Sequence, residues 1–109
     1  MRSATLALIL FSLFPRTSLA GQVYGTLRDS GKPVGANTKV EIICGSNTYS
    51  AMTDNYGSYK IFARENGKCT FRVYYQNQAP QTTIDSYPDA AHYDFDLVLN
   101  SGRYELTRK

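Results

Sequence analysis

The chain has 109 residues, of which 12 are Lys or Arg and 9 are Asp or Glu. This length fits one small domain, and small domains bury so little surface that a covalent cross-link is a common aid to stability. Two arginines lie in the first 20 residues, which leaves ten basic against nine acidic residues in the rest of the chain. No stripe of Lys and Arg remains, so the composition excludes a nucleic-acid backbone as the expected partner.

Residues 1–20 have the three-part layout of a secretory signal. One arginine precedes the apolar run LALILFSLF, and the small residues Ser18 and Ala20 stand three and one positions before a cleavage point at Gly21. The apolar run is shorter than the roughly 20 residues of a membrane-spanning helix. A buried N-terminal helix is the alternative interpretation. We predict a signal peptide at 1–20 and a secreted or periplasmic domain at 21–109, with no membrane span after the signal is removed.

Apolar and polar residues alternate along five stretches of the remaining chain, as they do in β-strands with one buried face. In chain order these are QVYGTLR (22–28), KVEIIC (39–44), SYKIFA (58–63), CTFRVYY (69–75) and YDFDLVL (93–99). Turn signals rich in Gly, Asn, Asp and Pro separate them, at a spacing typical of an antiparallel sandwich or barrel. Pro80 and Pro88 exclude a central strand from the irregular segment around them, where we expect one short edge strand at 82–84.

Cys44 and Cys69 are the two cysteines of the chain, and both have inward parity in their strands. If these strands are antiparallel neighbours, the last residue of one lies opposite the first residue of the other, at a Cα separation that a disulfide spans. Export would place the pair in an oxidising compartment. A redox pair or metal ligands are the alternatives, but the chain has no CxxC motif and two cysteines do not complete a zinc site. We predict a structural disulfide.

The stretch TDNYGSY, residues 53–59, predicts a tight turn that leads into a strand. Asp54 can accept a hydrogen bond from the backbone two residues later, and Gly57 can adopt a positive φ that other residues resist. A calcium loop is the alternative, but the regular series of acidic ligands ending on a distant Glu is absent. We therefore predict structural roles for Asp54 and Gly57.

Three stretches of the chain resemble the carboxypeptidase regulatory-like domain, a transthyretin-like (prealbumin-like) fold. They are GQVYGTLRDSGKPVGANTKVEI, TDNYGSYKI and GKCTFRVYY, and the likeness covers residues 21–75. The resemblance implies an all-β, seven-stranded antiparallel Greek-key β-sandwich, closed by a strand near residues 93–99. It also implies an accessory module of an exported protein, as most members of the family are. The matching positions are turn and core residues, so the resemblance carries over no active site. Cys69 departs from the family pattern, where an aromatic residue is commoner, and with Cys44 suggests a disulfide-bearing exported subgroup.

His92, Asp94 and Asp96 form the strongest candidate for chemistry, because residues two apart lie about 6.6 Å apart on one face of a strand. Imidazole and carboxylate groups suit several divalent metal ions. A solvated strand face that discourages edge pairing explains the same pattern, and we favour it because this spacing alone rarely closes a coordination sphere. A hydrolase built on Ser86 and His92 has no nucleophile elbow in its support. We expect no metal, no cofactor and no enzymatic activity.

The chain has nine tyrosines and no tryptophan. Three with inward parity are predicted core residues: Tyr59, Tyr75 and Tyr93. Four others are candidates for surface binding, two with outward parity and two in loops: Tyr24 and Tyr74, and Tyr56 and Tyr87. Exposed tyrosines suit protein or sugar contacts because they combine apolar area with a hydroxyl. Ordinary half-buried tyrosines of a sheet are the alternative.

These features together predict a non-enzymatic, secreted or periplasmic module with a binding or structural role. The expected partner is a protein or glycan of the cell envelope or the extracellular space. A small carbohydrate-binding protein is the alternative that the exposed tyrosines and acids suggest. Metal binding at His92, Asp94 and Asp96 is a weaker alternative.

Overall fold

The computed structural model of the chain describes residues 21–86 and 89–109, where ten β-strands form. The predicted signal peptide, Tyr87 and Pro88 lie outside the described residues. The strands are β1 (Gln22–Asp29), β2 (Lys32–Pro33), β3 (Lys39–Cys44), β4 (Asn47–Met52), β5 (Ser58–Phe62), β6 (Gly67–Tyr74), β7 (Gln81–Ser86), β8 (Ala91–His92), β9 (Phe95–Asn100) and β10 (Arg103–Arg108). No helix in the described part of the chain is long and apolar enough to cross a membrane.

The strands are arranged in two sheets that form a β-sandwich. The four-stranded sheet has the order β4-β3-β6-β7, and each of its pairs is antiparallel. In the six-stranded sheet β1 is the common partner, because β2 and β5 pair with it antiparallel while β8 and β9 pair with it in parallel. Strand β10 completes this sheet as the antiparallel partner of β9. Strand β7 lies at a sheet edge, as the flanking prolines predict.

The core lies between the sheets and is built from the inward positions of the alternating pattern. Phe71 of β6 is fully buried, and its ring centroid lies 5.2 Å from that of Tyr59 and 4.7 Å from that of Phe95 in the opposite sheet. Burying one such side chain contributes about 2–3 kcal/mol. Other fully buried apolar residues come from both sheets: Val23, Leu27, Val40, Ile42, Val73 and Leu97. The predicted parity of the strands therefore determines which side chains form the core.

The strand count and one set of pairings differ from the predicted seven-stranded antiparallel sandwich. Two of the additional strands, β2 and β8, have only two residues each. Strand β10 is largely exposed, its alternating apolar residues Tyr104 and Leu106 are only half-buried, and it is not among the predicted strands. The pairing of β1 with β8 and β9 is parallel, because the chain crosses to the other sheet after β7 and meets a strand that is not its sequence neighbour.

The two ends of the sandwich differ in their contents. Strands β1, β4, β6 and β9 all end on the same side, and the turns that follow them, residues 30–31, 53–57, 76–77 and 101–102, lie there. We call this the turn end. The opposite end holds the β3–β4 turn at 45–46 and the disulfide. Surface turns on a rigid scaffold are where binding residues concentrate, so this polarity bears on function.

Cys44 and Cys69 form the predicted disulfide, with their Cα atoms 4.6 Å apart. Ile43 lies opposite Thr70 in the antiparallel pair of β3 and β6, so the cysteines are the next directly opposed residues. The bond therefore joins neighbouring strands of one sheet and does not connect the two sheets. Both cysteines are buried. A disulfide of this kind is consistent with an extracellular or periplasmic location.

Replacing Cys44 and Cys69 together by alanine should lower the free energy of unfolding by about 3 kcal/mol, because the bond closes a long loop in the unfolded chain. Denaturation by urea measures the loss. Ser46→Ala, an exposed change beside Cys44, is the control and should stay within about 0.5 kcal/mol of the wild type. Reactive thiols in natural protein that is denatured without a reductant would contradict the assigned bond.

Candidate functional site

The stretch TDNYGSY forms the turn between β4 and β5, at the turn end. Oδ1 of Asp54 accepts hydrogen bonds from the backbone amides of Tyr56 and Ser58, each at 2.9 Å. The backbone amide of Gly57 also donates to the Asp54 carbonyl at 3.0 Å. The carboxylate thus satisfies donors of its own turn, which is the local bonding that favours Asp at such positions.

Gly57 lies where this turn meets β1. It has a φ of +74°, and its carbonyl accepts a hydrogen bond from the backbone amide of Leu27 at 2.8 Å. A Cβ added at position 57 would lie 2.5 Å from the carbonyl oxygen of Leu27. Position 57 therefore requires glycine for two reasons, the backbone conformation and the lack of space for a side chain.

Thr53, a buried residue that the sequence does not single out as a site residue, ties the turn to the loop between β2 and β3. Its hydroxyl donates to the Gly35 carbonyl at 2.6 Å and accepts from the backbone amide of Thr38 at 3.0 Å. Both bonds reach more than ten residues along the chain. The turn is therefore held by its neighbours as well as by its own residues.

The structure brings His92 and Asp94 together and leaves Asp96 apart from them. Nε2 of His92 lies 3.0 Å from Oδ1 of Asp94. Asp96 lies on β9, where its Oδ2 is 3.5 Å from Nζ of Lys109. Within residues 21–86 and 89–109, no group of three or more His, Cys, Asp and Glu is placed to hold a metal ion. The predicted continuous stripe is interrupted because β8 ends at His92 and β9 begins only at Phe95.

Asp94 supports the sheet at this interruption. Its Oδ1 accepts hydrogen bonds from the backbone amide and the hydroxyl of Thr26, at 2.9 and 3.1 Å. Beside it, β1 passes so close that a Cβ at Gly25 would overlap the carbonyl of Tyr93. The buried hydroxyl of Tyr59 donates to that same carbonyl at 2.6 Å. The carboxylate thus replaces a backbone acceptor where the regular ladder between β1 and its neighbour is broken.

The pKa of the Asp94 carboxyl reflects this role. Partial burial raises the pKa, but the two hydrogen bonds from Thr26 and the neighbouring His92 lower it by more. The net pKa lies below its ordinary value, so the ionised form is the one that the fold favours.

The candidate surface tyrosines do not share one surface. Tyr24 lies on the outer face of the six-stranded sheet, with its ring parallel to that of His92 at a centroid distance of 4.8 Å. Tyr74 lies on the outer face of the other sheet, and Tyr56 is 75% exposed in the turn before β5. Tyr87 lies outside the described residues. A ligand that contacts one of the three described tyrosines therefore does not automatically reach the others.

Tyr74 is held by charged neighbours on its own sheet face. Its hydroxyl donates to Oε1 of Glu41 at 2.7 Å and accepts from Nη1 of Arg72 at 3.4 Å. Nζ of Lys39 lies 5.3 Å from the ring centroid, within cation–π range. These contacts set the orientation of a side chain that remains 39% exposed.

A cluster at the turn end was not predicted from the sequence. Oδ2 of Asp29 accepts hydrogen bonds from the hydroxyls of Tyr75 and Tyr104, at 2.8 and 3.5 Å. The two rings meet edge to face, with centroids 5.2 Å apart. Burial raises the pKa of both tyrosine hydroxyls, and the Asp29 carboxylate raises them further. Asp29 ends β1, Tyr75 directly follows β6 and Tyr104 lies in β10, so no local motif could have indicated their proximity.

Gln78 links two turns of the same end. Its Nε2 donates to the Gly102 carbonyl at 3.0 Å, and its Oε1 accepts from the backbone amide of Tyr104 at 2.8 Å. One amide group therefore fastens the β6–β7 turn to the β9–β10 hairpin. Together with Asp29, it makes the turns at this end a connected surface.

Comparisons with known proteins give little further information. No protein-family model matches the chain, and no curated protein matches it. Among solved structures, the chain is similar to part of a 9R-lipoxygenase from Cyanothece PCC8801, with a TM-score of 0.45 and 15% sequence identity. The similarity covers 79% of this chain and 18% of the lipoxygenase chain. A likeness this weak carries no argument about the chain.

Replacing Gly57 by alanine should lower the free energy of unfolding by about 2–3 kcal/mol, because the new Cβ adds backbone strain and overlaps the Leu27 carbonyl. Gly31→Ala is the matched control, since Gly31 has a φ of +83° with open space around an added Cβ. The control should cost about 1 kcal/mol. Urea denaturation measures both variants, and equal losses would contradict the steric part of the explanation.

The other residues of this turn should rank below Gly57 in the same measurement. Asp54→Ala should cost about 1 kcal/mol, because the lost hydrogen bonds are partly replaced by water at an exposed turn. Tyr56→Ala should change the free energy of unfolding by less than about 0.5 kcal/mol. A larger loss for Tyr56 than for Asp54 would contradict the assignment of structural roles.

The stability contributed by Asp94 should disappear in acid. Its pKa is lowered in the folded state, so its contribution is complete above the unfolded-state pKa of about 3.9 and is lost as the pH falls through the lower folded-state pKa. Thermal unfolding from about pH 5 down to about pH 2 should therefore show a weaker pH dependence for Asp94→Asn than for the wild type. Asp89→Asn, at an exposed carboxylate, should keep the wild-type dependence. If Asp94→Asn showed the same pH dependence of thermal unfolding as the wild type, the stabilising role assigned to the Asp94 carboxylate would be refuted.

Proposed function

We propose that this chain is an exported, non-enzymatic β-sandwich module of the carboxypeptidase regulatory-like type, which acts by binding another molecule. It works in the periplasm or the extracellular space after residues 1–20 are removed. The bond between Cys44 and Cys69 supports export, because structural disulfides persist in oxidising compartments. The family resemblance of residues 21–75 supports an accessory role.

The observation that carries the binding proposal is that exposed aromatic side chains are held in fixed orientations. Tyr24 stacks on His92, and Tyr74 is bonded to Glu41 and Arg72. A side chain that is already ordered loses little entropy when a partner covers it, so more of its buried area contributes to affinity. Fixed tyrosines of this kind suit a protein or glycan partner.

The residues with catalytic capacity serve the fold, which supports a non-enzymatic role. A catalytic acid or base must reach the proton that it transfers on a substrate. The carboxylate of Asp94 bonds Thr26 and His92, and that of Asp96 faces Lys109. Each of these groups is thus engaged by residues of its own sheet.

A direct test is capture of a partner by the immobilised, disulfide-bonded protein from the envelope fraction and culture medium of the source cells. Replacing Tyr24, Tyr56 and Tyr74 together by alanine should weaken this capture by about tenfold or more, because exposed aromatic anchors dominate binding energy. The matched control replaces the same three residues by phenylalanine, keeps the rings and should retain most of the capture. Intact-mass analysis of the natural protein should give a chain that starts at Gly21.

Near-ultraviolet circular dichroism and the melting temperature establish that each variant keeps the fold. Absence of any specific capture, or equal capture by the wild type and the folded triple-alanine variant, would refute the proposed role of the tyrosines. A natural protein that retains residues 1–20 would refute the proposed export.

A further inference from the structure

An open groove of about 520 Å³ runs along the β6–β7 turn at the turn end. It is lined by two tyrosines, three residues with amide side chains and one alanine: Tyr74, Tyr75, Gln76, Asn77, Gln78 and Ala79. Rings supply apolar area, while each amide offers both a donor and an acceptor. The groove therefore matches a ligand that is uncharged, rich in hydroxyls and has flat apolar faces.

The turn itself keeps two amide side chains where glycine would be easier to accommodate. Gln76 and Asn77 have φ values of +52° and +62°, and hydrogen bonds of 2.9 Å link Tyr75 and Gln78 on either side of them. Two-residue hairpin turns with this geometry favour glycine, because both central residues must adopt a positive φ. Residues held in such conformations concentrate at ligand-binding sites. Ligand binding by the two amides beside the groove would explain why the turn has Gln76 and Asn77 at positions where glycine adopts the positive φ more easily.

Neighbouring elements hold the groove in place before any ligand arrives. The Gln78 amide is engaged by Gly102 and Tyr104 of the β9–β10 hairpin. The Tyr75 hydroxyl is engaged by Asp29. The amides of Gln76 and Asn77 are exposed at the tip of the turn, where a ligand in the groove can reach them. Preorganisation of this kind lowers the entropy lost on binding.

Tyr74 provides an aromatic wall, and the charges around it compensate one another only in part. Glu41 holds the tyrosine hydroxyl and also lies 3.5 Å from Nζ of Lys39 and 3.6 Å from Nη1 of Arg72. Two cations therefore share one largely shielded carboxylate next to the ring. This arrangement fixes the ring and leaves one net positive charge beside it. The groove lining itself contains no charged side chain.

We propose that this groove binds neutral glycans, with the apolar face of a hexose ring packed against Tyr74 and its hydroxyls bonded to the amides of Gln76 and Asn77. The proposal rests on the proposed binding function and names its ligand class. Sugar hydroxyls both donate and accept hydrogen bonds, so side-chain amides complement them at either atom. The groove lining offers no Lys or Arg as a partner for a carboxylate, so neutral glycans are the expected preference.

Isothermal titration of the disulfide-bonded protein against a panel of soluble oligosaccharides tests the proposal. The panel contains neutral hexose oligomers and matched oligomers of uronic acids. At least one neutral oligomer should bind more tightly than its acidic counterpart. Tyr74→Ala should weaken that binding by about tenfold or more, the usual effect of removing a central aromatic anchor.

Asn77→Gly separates ligand contact from folding, because glycine adopts the positive φ of this position freely. It should weaken glycan binding several-fold while the melting temperature stays equal to that of the wild type or rises. Phe62→Ala is the matched control, since Phe62 is an exposed aromatic residue on the other sheet, and it should leave the affinity unchanged.

Three results would overturn the proposal: no binding of any neutral oligomer at millimolar concentration, preference for the acidic oligomers, or unchanged affinity in both Tyr74→Ala and Asn77→Gly. Capture of a partner that depends on the tyrosines, with no glycan binding in the titration, would refute the glycan inference alone. Loss of both would refute the binding function as well.

Discussion

The close approach between β1 and the strand break at Tyr93 and Asp94 is the constraint on which the six-stranded sheet depends. Strand β1 pairs with four other strands, so any displacement of it disturbs most of that sheet. At Gly25 the absence of a side chain lets the Tyr93 carbonyl lie against β1, where the Tyr59 hydroxyl binds it. The ring of Tyr93 itself and that of Phe95, two residues later, can then pack into the core. Gly25 thus allows β1 to lie against both β5 and the break between β8 and β9.

The same constraint explains where the residues that look catalytic in the sequence are placed. A broken ladder leaves backbone groups that need other partners, and unsatisfied buried groups are costly. Asp94 satisfies the amide of Thr26, and His92 lies against both Asp94 and Tyr24. The acidic and imidazole groups are consequently placed by the demands of the sheet. The bonds in which these groups take part therefore account for their positions in the fold.

The sandwich is cross-linked at one end and connected by polar contacts at the other. The disulfide restricts separation of β3 and β6 beside the β3–β4 turn. At the turn end, Asp29 and Gln78 connect turns that are distant in sequence. A rigid scaffold with ordered turns at one end provides a binding surface whose shape changes little when a ligand arrives. This polarity is one reason for proposing a binding site at the turn end.

The sequence by itself determined the all-β class, five of the strands, the edge strand β7 and the inward positions that form the core. These properties are local, because alternation with a period of two assigns each side chain to one face of its strand. The geometry of the turn at Asp54 and Gly57 agrees with the same kind of local reasoning. The pairing of Cys44 with Cys69 needed one further assumption, that their strands are neighbours.

Only the tertiary structure decided which strands pair with one another within the two sheets. The parallel contact of β1 with β9 and the break before Phe95 depend on where the chain crosses between sheets. The cluster of Asp29, Tyr75 and Tyr104 arises because the ends of β1 and β6 and the start of β10 lie on the same side, although the residues are far apart in the chain. Strand periodicity specifies the face on which a residue lies, and it carries no information about which distant strand lies beside it. For that physical reason the contacts that connect the turns at this end became visible only in three dimensions.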